Sequence, residues 1–232
     1  MRRGAGVVWV TGVVVIAGLA GCSKPTPPDP AQRRAAAVEA VTKLGGRVEP
    51  EQPSADRPVT EVDLGRTAVT DADLDALAGF TDLQVLRLRD TGITSAGLSR
   101  LRGLTGLRKL DLSRTKVGDD GLGHLAGLTK LRSLYLNSTP VTDAGLAHLK
   151  GQTDLRELEL ANAAVGDAGL AHLGEVTSLE ELDLNGTRVT DAGLAGLKGL
   201  TKLHRLYLNG TPVTIAGVDA LRRALPDAQI VR

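Results

Sequence analysis

The sequence predicts an α/β solenoid: a stack of similar coils with a parallel sheet on its concave side and short helices on its convex side. The first observation is a period of 24. From Val59 the apolar pattern restarts at Leu83, Leu107, Leu131, Leu155, Leu179 and Leu203, and the seventh copy ends at Pro226. The second is a change of spacing inside each copy. In "LRKLDLSRT" Leu110 and Leu112 alternate with polar residues, as in a strand with one buried face. In "VTDAGLAHL" Leu146 and Leu149 stand three apart, on one face of a helix. The third is composition. Aromatics make up 2% of 232 residues, so leucine, valine and alanine must build the core. That suits many alike layers better than one large centre.

The chain opens on "MRRGAGVVWVTGVVVIAGLAGC". Arg2 and Arg3 give a positive start, and Val7 to Ala20 form an apolar run shorter than the ~20 residues a spanning helix needs. Residues 1–21 therefore read as a signal peptide. "LAGC" at 19–22 resembles the lipobox of bacterial lipoproteins, which implies that Cys22 becomes the lipidated first residue of the mature chain. Cys22 is also the only cysteine, so the fold must hold without an internal disulfide. Several acyl chains anchor stably where one binds marginally. The expectation is export across the inner membrane and a lipid anchor in the cell envelope, facing the periplasm or the surface.

"SKPTPPDP" at 23–30 is a proline-rich, semi-rigid spacer, so residues 22–30 read as a tether. Asp29 followed by Pro30 is a helix-start signal. It predicts a capping helix from Ala31 to Leu44, stopped by Gly45 and Gly46, with Val38, Val41 and Leu44 as the stripe that covers the first coil. "RVEP" reads as a short strand and 51–58 as a loop, so 31–58 form an N-terminal cap. Repeats fill 59–226, and 227–232 depart from the pattern. Ile230 falls where the second leucine of an eighth copy would stand, so a truncated strand is expected at that end.

Each copy approximates L-x-x-L-x-L-x-x-T-x-V-T-D-A-G-L-x-x-L-x-G-L-T-x. It resembles the leucine-rich repeat family. The "VTDAGLAHL" half is similar to the subtype common in F-box proteins, with threonine where that subtype usually has cysteine. The resemblance implies a right-handed arc whose concave surface binds proteins. One coil cannot bury its own apolar face, which is why such units stack.

Three recurring polar columns need a role. The ninth position holds Thr67, Thr91, Thr115, Thr139, Ala163, Thr187 and Thr211. Buried hydroxyls need partners, so a ladder bonding to neighbouring backbone is expected, broken at Ala163. Asp71, Asp143 and Asp191 follow threonines at helix starts and read as helix caps. His124, His148 and His172 recur on successive convex helices, and packed helices lie 8–10 Å apart. Zinc holds nitrogens at about 2.0–2.1 Å, so the three histidines read as copied surface residues. His204 lies on the strand side and joins no cluster.

No serine has a histidine placed to activate it, and no phosphate loop or zinc spacing appears. No enzymatic activity, cofactor or metal site is expected. A formal net charge of +1 offers no basic stripe for nucleic acid.

Function is expected on the outward strand positions. One column runs Glu61, Val85, Lys109, Ser133, Glu157, Glu181, Arg205, and the next Asp63, Arg87, Asp111, Tyr135, Glu159, Asp183, Tyr207. In the early repeats the signs alternate and satisfy one another. Glu157, Glu159, Glu181 and Asp183 then place four carboxylates on two neighbouring strands, where like charges repel. Tyr135 and Tyr207 flank them, with Arg205 at the edge, and tyrosine and arginine are enriched at interface hot spots. These seven residues form the candidate site for a protein or peptide partner, a basic or amine-bearing one fitting best. The alternatives are a solvated charged face, a calcium site on the four carboxylates, or a structural scaffold of the envelope without a discrete ligand. The protein is expected to be a monomer.

Overall fold

The computed structural model describes residues 29–54 and 56–232. The expected signal peptide, Cys22 and most of the expected tether lie outside the described residues. Helix α1 (Pro30–Lys43) starts as its sequence demands: the Asp29 side chain accepts from Gln32 N, and Gln32 reaches back to Asp29 N. Pro30 is therefore the first helical residue. The covering stripe differs from expectation. Ala37 and Val41 are the buried pair, while Val38 and Leu44 are only partly covered. The reason is steric: Gly79 of the first coil approaches Ala37 Cβ so closely that an added Cβ would lie 2.8 Å from it. A small side chain is needed at the contact, and Val38 is rotated off it.

Strand β1 (Arg47–Glu49) pairs antiparallel with β2 (Glu61–Asp63). From there every pairing is parallel: β3 (Val85–Arg87), β4 (Lys109–Asp111), β5 (Ser133–Tyr135), β6 (Glu157–Glu159), β7 (Glu181–Asp183), β8 (Arg205–Tyr207) and β9 (Gln229–Val231) follow in chain order across one open sheet. The register equals the sequence period, so Leu86, Leu110, Leu134, Leu158, Leu182 and Leu206 stack directly, and Ile230 continues the row beside Leu206. All of these are buried, as are Leu112, Leu136, Leu160, Leu184 and Leu208 two residues later in their own coils. Together with the helix leucines they make one continuous core from Ala37 to Ile230. Among the described residues Phe80 is its only aromatic.

The convex elements are short because each has only one coil's width to cross. Asp71–Gly79, Gly97–Leu101 and Gly193–Leu197 are 3₁₀ turns; Asp119–Gly123, Asp143–Leu146, Asp167–Leu173 and Ile215–Ala224 are α-helical. The solenoid therefore has two flanks. Strands begin, and convex helices end, on what is called the start flank. Strands end and helices begin on the end flank.

At the end flank each coil turns through a left-handed residue: Arg66, Asp90, Arg114, Ser138, Asn162, Gly186 and Gly210. Left-handed backbone is costly for side chains other than glycine. It persists because the first six of these residues donate to the turn of the following coil, as in Arg114 N to Asn137 O and Asn162 N to Asn185 O, both 2.8 Å. The turns are thus stacked as firmly as the strands.

Candidate functional site

The two outward columns stand in the register that the period implies: Glu157 beside Glu181, Glu159 beside Asp183, and Tyr207 beside Asp183. Their chemistry departs from expectation. Tyr135 is only 9% exposed. Lys109 Nζ lies 4.5 Å from its ring centroid and donates to its hydroxyl at 2.7 Å. The same hydroxyl donates to Glu157 Oε2 at 2.7 Å. Lys109, Tyr135 and Glu157 therefore form one hydrogen-bonded chain over three strands, and burial together with the Glu157 carboxylate pushes the phenol up from its usual range. Tyr135 serves as a packing residue of the face rather than an exposed anchor.

The four carboxylates are likewise held. Glu157 accepts from Tyr135, and Glu181 pairs with Arg205 at 2.9 Å. Glu159 accepts from Asn137 Nδ2, and Asp183 Oδ1 accepts from Asn185 N at 2.8 Å. The expected contrast between satisfied early repeats and unsatisfied late ones is thereby corrected. In the early repeats Arg87 pairs with Glu61, diagonally, rather than alternating with Asp63 and Asp111. Diagonal neighbours on a sheet lie within reach of long side chains.

A negative field nevertheless remains on β6 and β7. Burial holds the Glu159 carboxyl above its ordinary value, Asn137 opposes this, and the charges of Glu157, Asp183 and Asp111 add to it. Beside it, Glu157, Glu181 and Arg205 line an open depression of about 430 Å³ together with Arg132, Ser133, Arg156, Glu180 and His204. Tyr207 is half-buried at the far end of β8. The face thus brings together Glu157, Glu181 and Arg205, keeps Tyr207 accessible, and withdraws Tyr135.

The remaining polar columns also have partners that sequence reasoning missed. Thr67, Thr91, Thr115, Thr139, Thr187 and Thr211 each donate to the carbonyl three residues back in their own coil. They close turns and do not join coils. The joining is done by the aspartates read as helix caps. Asp71, Asp119, Asp167 and Asp191 each accept from both the N–H and the hydroxyl of the threonine 23 residues on: Thr94, Thr142, Thr190 and Thr214. Where that position is glycine the bond survives on the backbone alone, from Gly118 to Ser95 and from Gly166 to Asp143.

This geometry explains the glycine of the motif. An added Cβ at Gly97, Gly145, Gly193 or Gly217 would overlap the carboxylate of the aspartate in the preceding coil. The first coil has no such predecessor, and there Asp73 replaces the glycine and bonds Thr70 instead. The signal was present in the sequence as this single exception.

The histidines lie on successive convex helices. His124 Nδ1 is 2.7 Å from Arg102 Nη2, and the His148 ring lies over Gly123. Among the described residues no three His, Cys, Asp or Glu side chains are grouped to hold a metal.

Residues 81–141 match a family model described as leucine rich repeat, and residues 177–198 match a second of the same description. These coils are leucine-rich repeats. Among solved structures, the leucine-rich repeat arc is similar to internalin C2 from Listeria monocytogenes, with a TM-score of 0.56 over 84% of this chain and 92% of that one. At 23% identity the likeness is one of fold. No curated protein matches the sequence. Leucine-rich repeat proteins generally act in protein–protein interaction and are typically non-catalytic.

Proposed function

We propose that this leucine-rich repeat arc is a non-catalytic recognition module of the cell envelope, tethered through Cys22, that binds a cationic protein or peptide segment on the concave surface of β6–β8. The observation that carries the reading is the negative field on β6 and β7, felt by Glu159, beside an open depression bordered by Glu157, Glu181 and Arg205. A lysine or arginine of the partner would compete with Arg205 for Glu181, and its neighbouring side chain would cover Tyr207. The anchor reading is supported by "LAGC" behind a short apolar run. Among the described residues no helix is long and apolar enough to cross a membrane.

The test is a crosslinked capture from native envelopes, followed by direct binding of the purified partner. Wild type is compared with Glu181→Lys, Asp183→Lys, Tyr207→Ala. Tyr135 is left intact because its loss would open the face itself. Binding that weakens with salt and disappears in the variant is the expected result. Equal binding by both would move the site off this face, and no direct binder at all would favour a scaffold role.

A further inference from the structure

The start flank carries cations that no carboxylate of the fold takes up. Arg102, Arg108, Lys130, Arg132, Lys198 and Lys202 are exposed there, and none enters the ion pairs formed among the described residues. Asp82, Asp154 and Asp227 are the acids of this flank left outside those pairs; Asp75, Glu175, Glu180 and Asp219 are each matched to a cation of their own. The opposite flank also has exposed cations outside those pairs, Lys116 and Arg188, but it is rich in aspartates. Asp71, Asp119, Asp167 and Asp191 are occupied by the coil that follows, and Arg66, Arg89 and Arg114 converge on Asp90.

The flank is also even. The same tight turn closes each coil, from Leu107 N to Leu104 O, Leu131 N to Leu128 O and Leu203 N to Leu200 O, at 2.9–3.0 Å. Neighbouring turns that carry them, as with Arg108 and Arg132, present their cations about 4.8 Å apart, whereas the turn at 174–180 carries Glu175 and Glu180, paired with Lys150 and Arg156. Two level groups of cations, Arg102, Arg108, Lys130 and Arg132 and then Lys198 and Lys202, fit a flat anionic surface. The aromatics that a single-stranded nucleic acid would stack on are elsewhere: Phe80 is in the core, and Tyr135 and Tyr207 are on the concave face.

A second observation gives the orientation. The C-terminal end of α1 lies at the end flank, where Gly46 meets Leu64 and Val41, and its N-terminal half lies at the start flank, where Arg33 abuts Gly79. The chain before Asp29 thus joins the domain on the basic flank. If Cys22 is the anchor, the intervening residues reach at most about 25 Å at roughly 3.3–3.6 Å each, so this flank is the part held nearest the bilayer.

We infer that the start flank docks on anionic lipid headgroups, laying the solenoid on its side so that the concave face opens parallel to the membrane. The orientation rests on the tether reading, whereas headgroup binding does not. The experiment therefore uses residues 29–232, which contain the whole core from Ala37 to Ile230, and needs no anchor. This fragment is sedimented with vesicles of phosphatidylglycerol mixed into phosphatidylcholine, and with phosphatidylcholine alone.

Binding to the anionic vesicles only, released by high salt, is expected. Each Lys or Arg near an anionic surface strengthens partition about fivefold, so Arg102→Glu, Arg108→Glu, Arg132→Glu should weaken it at least about a hundredfold with an unchanged circular dichroism spectrum. Tyr207→Ala should leave it unchanged, separating this surface from the concave one. Equal sedimentation with both vesicle types, binding untouched by the triple reversal, or retention on heparin without vesicle binding would each overturn the inference.

Discussion

On the flank where the strands end, Asp71, Asp119, Asp167 and Asp191 each accept two hydrogen bonds from the next coil. On the flank where they begin, Arg108, Lys130 and Arg132 are exposed and have no carboxylate partner within the described residues. Both flanks are written by the same 24-residue unit. The difference teaches that a repeated polar residue is structural when its partner repeats with it. Asp71, Asp119, Asp143, Asp167 and Asp191 are each followed by a threonine or glycine 23 residues on, while Arg108, Lys130 and Arg132 of the start flank have no matching acid. Polar residues of the first kind hold the stack together, and those of the second kind are free to meet something else.

The sharpest way to break this comparison is to add a methyl group on each flank. At Gly145 an added methyl carbon would overlap the Asp119 carboxylate and lie 3.1 Å from Asp119 Cα, whereas Gly151 on the start flank has nothing within 4 Å. Gly145→Ala should cost about 1–3 kcal/mol through overpacking. Gly151→Ala should be neutral or slightly stabilising, because it restricts the unfolded chain. Urea denaturation of the two variants side by side checks this. Equal effects would mean that the aspartate yields, and that the end flank is no more closely fitted than the other.

Removing the joining residue itself should come next in size. Asp119→Ala leaves both the N–H and the hydroxyl of Thr142 without their acceptor, an expected loss of about 1–3 kcal/mol. Asp143 receives only the N–H of Gly166, so Asp143→Ala should cost about half as much. Arg108→Ala, on the other flank, should stay within about 0.5 kcal/mol. If the two aspartate variants proved alike, the threonine hydroxyl would contribute nothing to the joint.

How much of this is legible in the sequence follows from the same distinction. The period sets the register, since any other pairing would take Leu110 and Leu134 out of line, and so the membership of the outward columns can be read directly. What those columns do cannot. Tyr135 is withdrawn from the surface by Lys109 of the preceding strand, and Arg87 chooses Glu61 over its same-column neighbours. Both contacts are diagonal, and side-chain reach decides them. The aspartates mislead for a related reason: a residue after a helix-start threonine looks like a local cap, and only the glycine clash with the next coil reveals the longer bond. Net charge misleads in another way. A total of +1 conceals that Arg102, Arg108, Lys130 and Arg132 stand together on one flank without ion-pair partners among the described residues.

Glu159 on the concave face grades the comparison, being held but not matched to a cation. Glu159 has one side-chain donor, Asn137, and its carboxyl is raised by burial and by neighbouring charge. A carboxyl whose folded value is raised costs stability when ionised. The cost is absent below the ordinary carboxylate range and is complete once pH exceeds the raised folded value. Glu159→Gln keeps an acceptor for Asn137 and removes the charge. It should stabilise at neutral pH by less than about 1 kcal/mol, the open side of the face screening the effect, and the gain should vanish in acid. Melts at both pH values decide the point, and a gain that persists in acid would trace it to packing instead of charge.

The smallest effect tests the rule from within one turn. Ala163 occupies a position where Thr139 and Thr187, one coil to either side, each donate to a carbonyl three residues back at 2.6–2.7 Å. Its own carbonyl counterpart, Leu160 O, already receives Ala163 N at 3.0 Å, as Leu184 O receives Thr187 N. The site is therefore built like its neighbours and lacks only the hydroxyl. Ala163→Thr should be stabilising by up to about 1 kcal/mol, because the bond closes within the coil and asks nothing of the coils beside it. A clear loss in the melt would show that the bulk of the added side chain is felt across the stack. The threonine column would then belong with the aspartates, among the residues that hold coil to coil.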